Sequence, residues 1–234
     1  MVRQPSIGGS SLTYFGFTGY THTGNLTARS LSGTNLASAL PRVGLLFSSV
    51  SATSVAGSRT NEYRYYINQH TGFFFKNTFG RAGITSTQTT HEAFIGLTNL
   101  SGGNGITDVS IRSYPNAFYG IGVEAGDVNL QFIYCLNAST DLVKIDLGSS
   151  FPKSLADDSE ILELIITGNK AISGNQTLTL LVTNLSNGIS ATVTVPSTYF
   201  TYNLGLTFRQ WIRSNGGTSN LGINMHNIYS EFKY

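Results

Sequence analysis

This sequence predicts an all-β chain built as two packed antiparallel sheets. Three observations carry the prediction. Apolar residues recur at every second position in about a dozen short segments, the period of strands buried on one face. Turns rich in Gly, Asn and Ser separate the segments, with 26 glycines against 5 prolines. Helical periodicity is almost absent, and many short strands without helices pack as a sandwich.

The elements follow in chain order. Residues 42–50 place Val43, Leu45 and Phe47 on one face, and 62–67 do the same with Tyr63, Tyr65 and Ile67. Residues 72–79 contain Phe73, Phe74 and Phe75 in a row, which suits a strand buried on both faces. Residues 93–97 form another short apolar segment. The clearest stretch is 118–152. There Tyr119, Ile121 and Val123 oppose Gly120 and Gly122; Leu130, Phe132, Tyr134 and Leu136 share a face; and Val143, Ile145 and Leu147 oppose Lys144 and Asp146. Segments 161–167, 177–183, 191–195, 202–209 and 222–232 complete the set. Ser186-Asn187-Gly188 is a tight turn in which Asn and Gly accept positive φ. Residues 177–195 therefore read as one hairpin, with Leu178, Leu180 and Val182 against Ala191, Val193 and Val195. Helix is confined to 35–40, stopped by Pro41, and 108–113, stopped before Pro115.

Composition narrows the function. Asp, Glu, Lys and Arg make up 11% of the 234 residues, and the net charge is +2. Such a chain has no basic field for phosphates, so nucleic acid is not an expected partner. Polarity comes instead from Ser, Thr and Asn, which hydrogen-bond neutral partners. No run approaches the roughly 18 apolar residues of a membrane helix, and Met1 is followed by no basic and apolar leader. Synthesis in a cytoplasm without membrane insertion is the expectation. Cys135 is the single cysteine, read as a buried or half-buried small side chain. The five sequons, at Asn25, Asn99, Asn137, Asn175 and Asn184, read as turn chemistry.

Catalytic patterns are missing. His22, His70, His91 and His226 form no metal-spaced pair, there is no nucleophile elbow, and Gly102-Gly103-Asn104-Gly105 lacks the Lys of a phosphate loop. Asp157, Asp158, Glu160 and Glu163 form the one acidic cluster and read as a solvated loop rather than a glycosidase pair. The chain is expected not to be an enzyme and to need no cofactor. Three weaker sites remain. Glu124, Asp127 and Asn129 have oxygen ligands that could hold calcium, but they read first as turn chemistry. Trp211, Tyr65 and Tyr66 are candidate sugar platforms, with the segment from Trp211 to Gly216 reading as a loop. Tyr14, Phe15, Phe17 and Tyr20 crowd an almost uncharged N-terminal arm, residues 1–21, which reads as an assembly contact or a first strand of the sandwich. Residues 22–234 read as one domain.

Several segments resemble a known family. Gly120-Ile121-Gly122-Val123, then Gly126-Asp127-Val128-Asn129-Leu130-Gln131-Phe132-Ile133-Tyr134, then Lys144-Ile145-Asp146-Leu147-Gly148-Ser149-Ser150-Phe151-Pro152 are similar to a jelly-roll domain of tailed-phage and prophage structural proteins. Residues 24–31, 41–44, 72–75 and 228–231 agree in the same order. The resemblance implies a concanavalin A-like jelly roll used as a tail-fibre, spike or minor structural protein on a virion surface. It implies a homo-oligomer, commonly a trimer, touching other virion proteins and a host-surface glycan or protein. It assigns no functional residue. The alternatives are a purely architectural head-decoration, head-fibre, collar or adaptor protein, a capsule depolymerase, and a free-standing lectin.

Overall fold

Two antiparallel sheets face each other across one large core. The computed structural model describes residues 20–23, 25–29, 44–48, 55–60, 65–67, 72–82, 90–99, 110–153, 160–169, 176–213 and 222–233. Among these the strands are β1 (Tyr20–Thr23), β2 (Asn25–Arg29), β3 (Gly44–Ser48), β4 (Val55–Thr60), β5 (Tyr65–Ile67), β6 (Gly72–Ala82), β7 (Glu92–Thr98) and β8 (Phe118–Val123). They continue with β9 (Gln131–Cys135), β10 (Val143–Asp146), β11 (Ile161–Gly168), β12 (Leu178–Asn184), β13 (Ile189–Val195), β14 (Leu204–Arg213) and β15 (Gly222–Lys233). The first sheet runs β1-β4-β14-β7-β8-β9-β10, with β5 also paired to β14, and the second runs β13-β12-β11-β6-β15-β3-β2. No α-helix occurs among the described residues. The helix expected at 35–40 lies outside them, and the one at 108–113 is a single 3-10 turn, Ile111–Ser113.

Alternation positions the core. Every second residue of β11 is buried, and Leu162, Leu164 and Ile166 line up beside Phe79, Asn77 and Phe75 of β6. The hairpin β12–β13 pairs as its pattern dictates, with Leu178 opposite Val195, Leu180 opposite Val193 and Val182 opposite Ala191. Its turn closes through Gly188 at φ 77°. From the other sheet, Ile95, Leu97, Tyr119, Ile121, Phe132, Leu206 and Phe208 complete the core. Tyr65 stands between Phe73 and Phe75, at centroid distances of 5.6 and 5.4 Å, and Phe75 meets Phe208 at 5.5 Å. Each buried ring of this kind contributes on the order of 3–5 kcal/mol against truncation.

Some expectations change. Phe74 is half-buried on the outer face of β6, edge-to-face with Tyr229 at 6.1 Å, so β6 alternates rather than burying both faces. Ile145 is exposed, because β10 ends the first sheet and has a neighbour on one side only. β4 was not foreseen at all. The ladder begins at Tyr20, opposite Thr60, and so reaches into the last residues of the proposed arm. Tyr14, Phe15 and Phe17 lie outside the described residues.

A second cluster sits on the outer face of the first sheet. Phe94, Phe118, Ile133, Cys135 and Trp211 project there and are covered by Ile111, Tyr114 and Ala138. Cys135 is fully buried, and burial pushes its thiol up to about 12. A disulfide reagent at pH 8 is therefore expected to leave the native chain unmodified and to titrate one thiol once it is unfolded. Rapid labelling of the native chain would contradict this burial.

Candidate functional site

The turn from Val123 to Leu130 brings two of the three proposed metal ligands together. Gly126 takes φ 91°, and Asp127 closes the turn: its Oδ2 accepts from the Glu124 N–H at 2.7 Å. This is the capping chemistry that Asp supplies in turns. The Glu124 carboxylate then meets cations. Arg112 donates to both of its oxygens, at 2.8 and 2.9 Å, and Lys144 Nζ lies 3.0 Å from Oε2. Lys144 also reaches Asp127 Oδ1 at 2.6 Å, and Lys153 Nζ donates to the Glu124 carbonyl at 2.6 Å. Asn129 turns elsewhere, donating to Asp146 Oδ1 at 2.9 Å.

The arrangement does not fit calcium. The Lys144 ammonium already bridges the two carboxylates where a cation would sit, and the third ligand points away. Among the described residues no group of three or more His, Cys, Asp or Glu is set to hold a metal. Burial alone would lower the Lys144 pKa, but its bonds to Asp127 and Glu124 outweigh burial and raise it. A lysine raised in the folded state contributes stability below the ordinary value of 10.5 that is lost as pH rises through the folded value. Thermal melts are thus expected to be unchanged by EDTA and to weaken above about pH 10.5. A drop of several degrees in EDTA at neutral pH would contradict the reading.

The proposed sugar platforms separate. Trp211 is not on a loop: β14 continues to Arg213, and the indole is 4% exposed, packed on Phe94 at 5.0 Å and Phe118 at 5.9 Å. Tyr65 is in the main core. Neither ring has a face for a ligand. Tyr66, pointing the other way on the same short strand, is 44% exposed. Tyr202, which the sequence does not distinguish from other tyrosines, is 39% exposed just ahead of β14. On the outer face between these places, Arg59 and Arg209 stand in register on β4 and β14. Burial, then the neighbouring Arg59 charge, pulls the Arg209 guanidinium down to about 10.

A search of protein-family models gives no match, and no curated protein matches the chain. Solved structures do. Arcelin-5, a lectin-like defence protein from Phaseolus vulgaris, superposes with a TM-score of 0.54 at 12% identity, covering 92% of this chain and 93% of that one. The lectin UEA-II complexed with galactose gives 0.53 at 12%, covering 93% and 96%. A legume lectin-like domain from Entamoeba histolytica gives 0.53 at 11%, covering 91% and 89%. The fold is a legume-lectin-like jelly roll.

Within this lectin-like sandwich the acidic cluster has a structural task. Glu160 is buried, not solvated, and accepts from Arg81 Nε at 2.9 Å and Asn184 Nδ2 at 3.2 Å. Glu163 is ion-paired with Lys76. Asp157 and Asp158 lie outside the described residues. Three of the sequon asparagines also serve locally: Asn99, Asn137 and Asn184 accept from the backbone N–H groups of Ala117, Ser139 and Ser186.

Proposed function

We propose that the chain is a non-catalytic carbohydrate-binding jelly roll, used as a fibre or spike subunit on a tailed-phage virion. The observation that carries the glycan half is the lectin-like fold, shared over more than nine-tenths of this chain and of UEA-II, whose structure contains galactose. The virion half draws on the resemblance of residues 118–152 to phage structural domains. A surface polar through Ser, Thr and Asn rather than ions suits neutral sugars. Weak single contacts become firm attachment when several copies act together, by roughly 10²–10⁴-fold.

Assembly as a homo-oligomer, with a trimer favoured, belongs to the same proposal. β8 packs across the core on β11 and β12, so the terminal strands β10 and β13 lie on one side of the sandwich. These edge strands carry the exposed apolar residues Ile145 and Ile189, and Val128 and Leu185 are exposed in the β8–β9 and β12–β13 turns. The same exposed residues also favour a second reading, an architectural decoration or adaptor that contacts other virion proteins without touching a host.

The test is a glycan array probed with the pure chain, together with a map of the particle that locates it. Array binding and an external position are expected. An empty array with an external position would leave the architectural reading. An internal position would overturn the attachment role.

A further inference from the structure

The β5–β14 ladder places two accessible aromatic rings at one end of the first sheet. It is short, pairing Leu204 with Ile67, Gly205 with Tyr66 and Leu206 with Tyr65. Tyr65 and Leu206 enter the core, which turns Tyr66 outward. Gly205, the residue facing Tyr66 across the ladder, has no side chain to stand beside the ring. Just before it, Asn203 takes φ 64°, the one positive φ outside glycine among the described residues. Its N–H donates to the Ile67 carbonyl at 2.6 Å, which folds the chain back and sets Tyr202 beside the end of the ladder. Asn tolerates this conformation, and non-glycine residues held in it concentrate at functional sites.

These features converge. Among the residues whose burial is described, Tyr66 and Tyr202 are the exposed aromatic side chains, at 44% and 39%, and both flank this one turn. Between them Asn203, itself exposed, offers an amide that both donates and accepts. Aromatic faces stack on the apolar face of a pyranose, and an amide reads its hydroxyls. None of Tyr66, Tyr202, Asn203 or Gly205 carries a charge, so the contacts these four residues offer suit a neutral sugar.

We propose that Tyr66, Tyr202 and Asn203 form the subsite that holds a neutral hexose of the host glycan. The inference rests on the glycan reading above and deepens it by naming the surface and the sugar class. Because both rings are exposed, Tyr66→Ala and Tyr202→Ala are expected to keep the melting temperature of the unaltered chain. The test is an array of neutral and sialylated oligosaccharides, probed with the unaltered full-length chain and with each variant. A neutral glycan should be retained by the unaltered chain and held about tenfold more weakly by either variant. Asn203→Gly, which keeps the backbone conformation and removes the amide, should weaken the same glycan. If the unaltered chain binds a glycan and all three variants bind it within twofold, the subsite is wrong and the glycan reading stands. Preference for sialylated ligands would overturn the neutral class. If the unaltered chain retains nothing, both fall.

Discussion

Replacing Arg81 with alanine is expected to destabilise the fold by about 3–5 kcal/mol. Arg81 projects from β6 of the second sheet and is 4% exposed. Its Nη1 donates to the Lys153 carbonyl at 2.8 Å and its Nη2 to the Pro152 carbonyl at 2.9 Å, in the segment that follows β10 of the first sheet. Its Nε donates to Glu160 Oε2 at 2.9 Å, just ahead of β11. One guanidinium thus closes the end of the sandwich where both sheets meet. Alanine would leave the Glu160 carboxylate buried without its cation and two carbonyls without their donor, and an uncompensated buried charge is costlier than a missing contact. The paired change Arg81→Met with Glu160→Leu removes both charges and should recover much of the loss. Urea unfolding of Arg81→Met, Glu160→Leu and the paired variant measures the coupling. A single-variant loss under about 1 kcal/mol would contradict the account.

Gly96→Ala is expected to cost more still, above about 4 kcal/mol, and to abolish soluble folded chain at ordinary temperature. Gly96 on β7 and Gly120 on β8 face each other in register near the middle of the first sheet. A methyl at Gly96 would collide with the Tyr119 carbonyl oxygen and sit 2.7 Å from Gly120 Cα and 3.0 Å from Phe94 Cζ. Two of these are backbone atoms that no rotamer change can move, so the strands would have to part. The bare floor lets the rings of Phe94, Phe118 and Trp211 lie close to the sheet and seal the second cluster. Gly126→Ala serves as the comparison. Its site is open on all sides and only its φ of 91° resists a side chain, so a loss of about 1–2 kcal/mol is expected. Equal losses at the two positions would show that packing at Gly96 is not the cause.

Much of this architecture was written in local alternation. β11 and the β12–β13 hairpin were readable because one face of each meets the core and the other meets solvent, so period and burial coincide. β4 was not, because all six of its residues, Val55 to Thr60, are buried, and a strand covered on both faces has no reason to alternate. Trp211 misled for a different reason. The Ser, Asn and Gly residues after Arg213 look like a loop, and nothing local shows that an indole just before them is covered by Ile111 and Tyr114. Glu124 and Asp127 are close in sequence, and their approach was foreseen. The cations that meet them are Lys144, which bridges the pair, and Arg112, which holds Glu124, and only the fold brings those near. Tyr202 is likewise one tyrosine among 12 until the bond from the Asn203 N–H to the Ile67 carbonyl brings its turn to the end of β5.

The most direct test of the carbohydrate reading uses intact bacterial cells. The pure full-length chain, labelled and multimerised on beads, is incubated with cells before and after mild periodate treatment, which cleaves the vicinal diols of surface sugars. Binding to untreated cells that is lost after periodate, and is competed by a neutral sugar, is the predicted result. Binding that survives periodate unchanged, or that no neutral sugar competes, would contradict it.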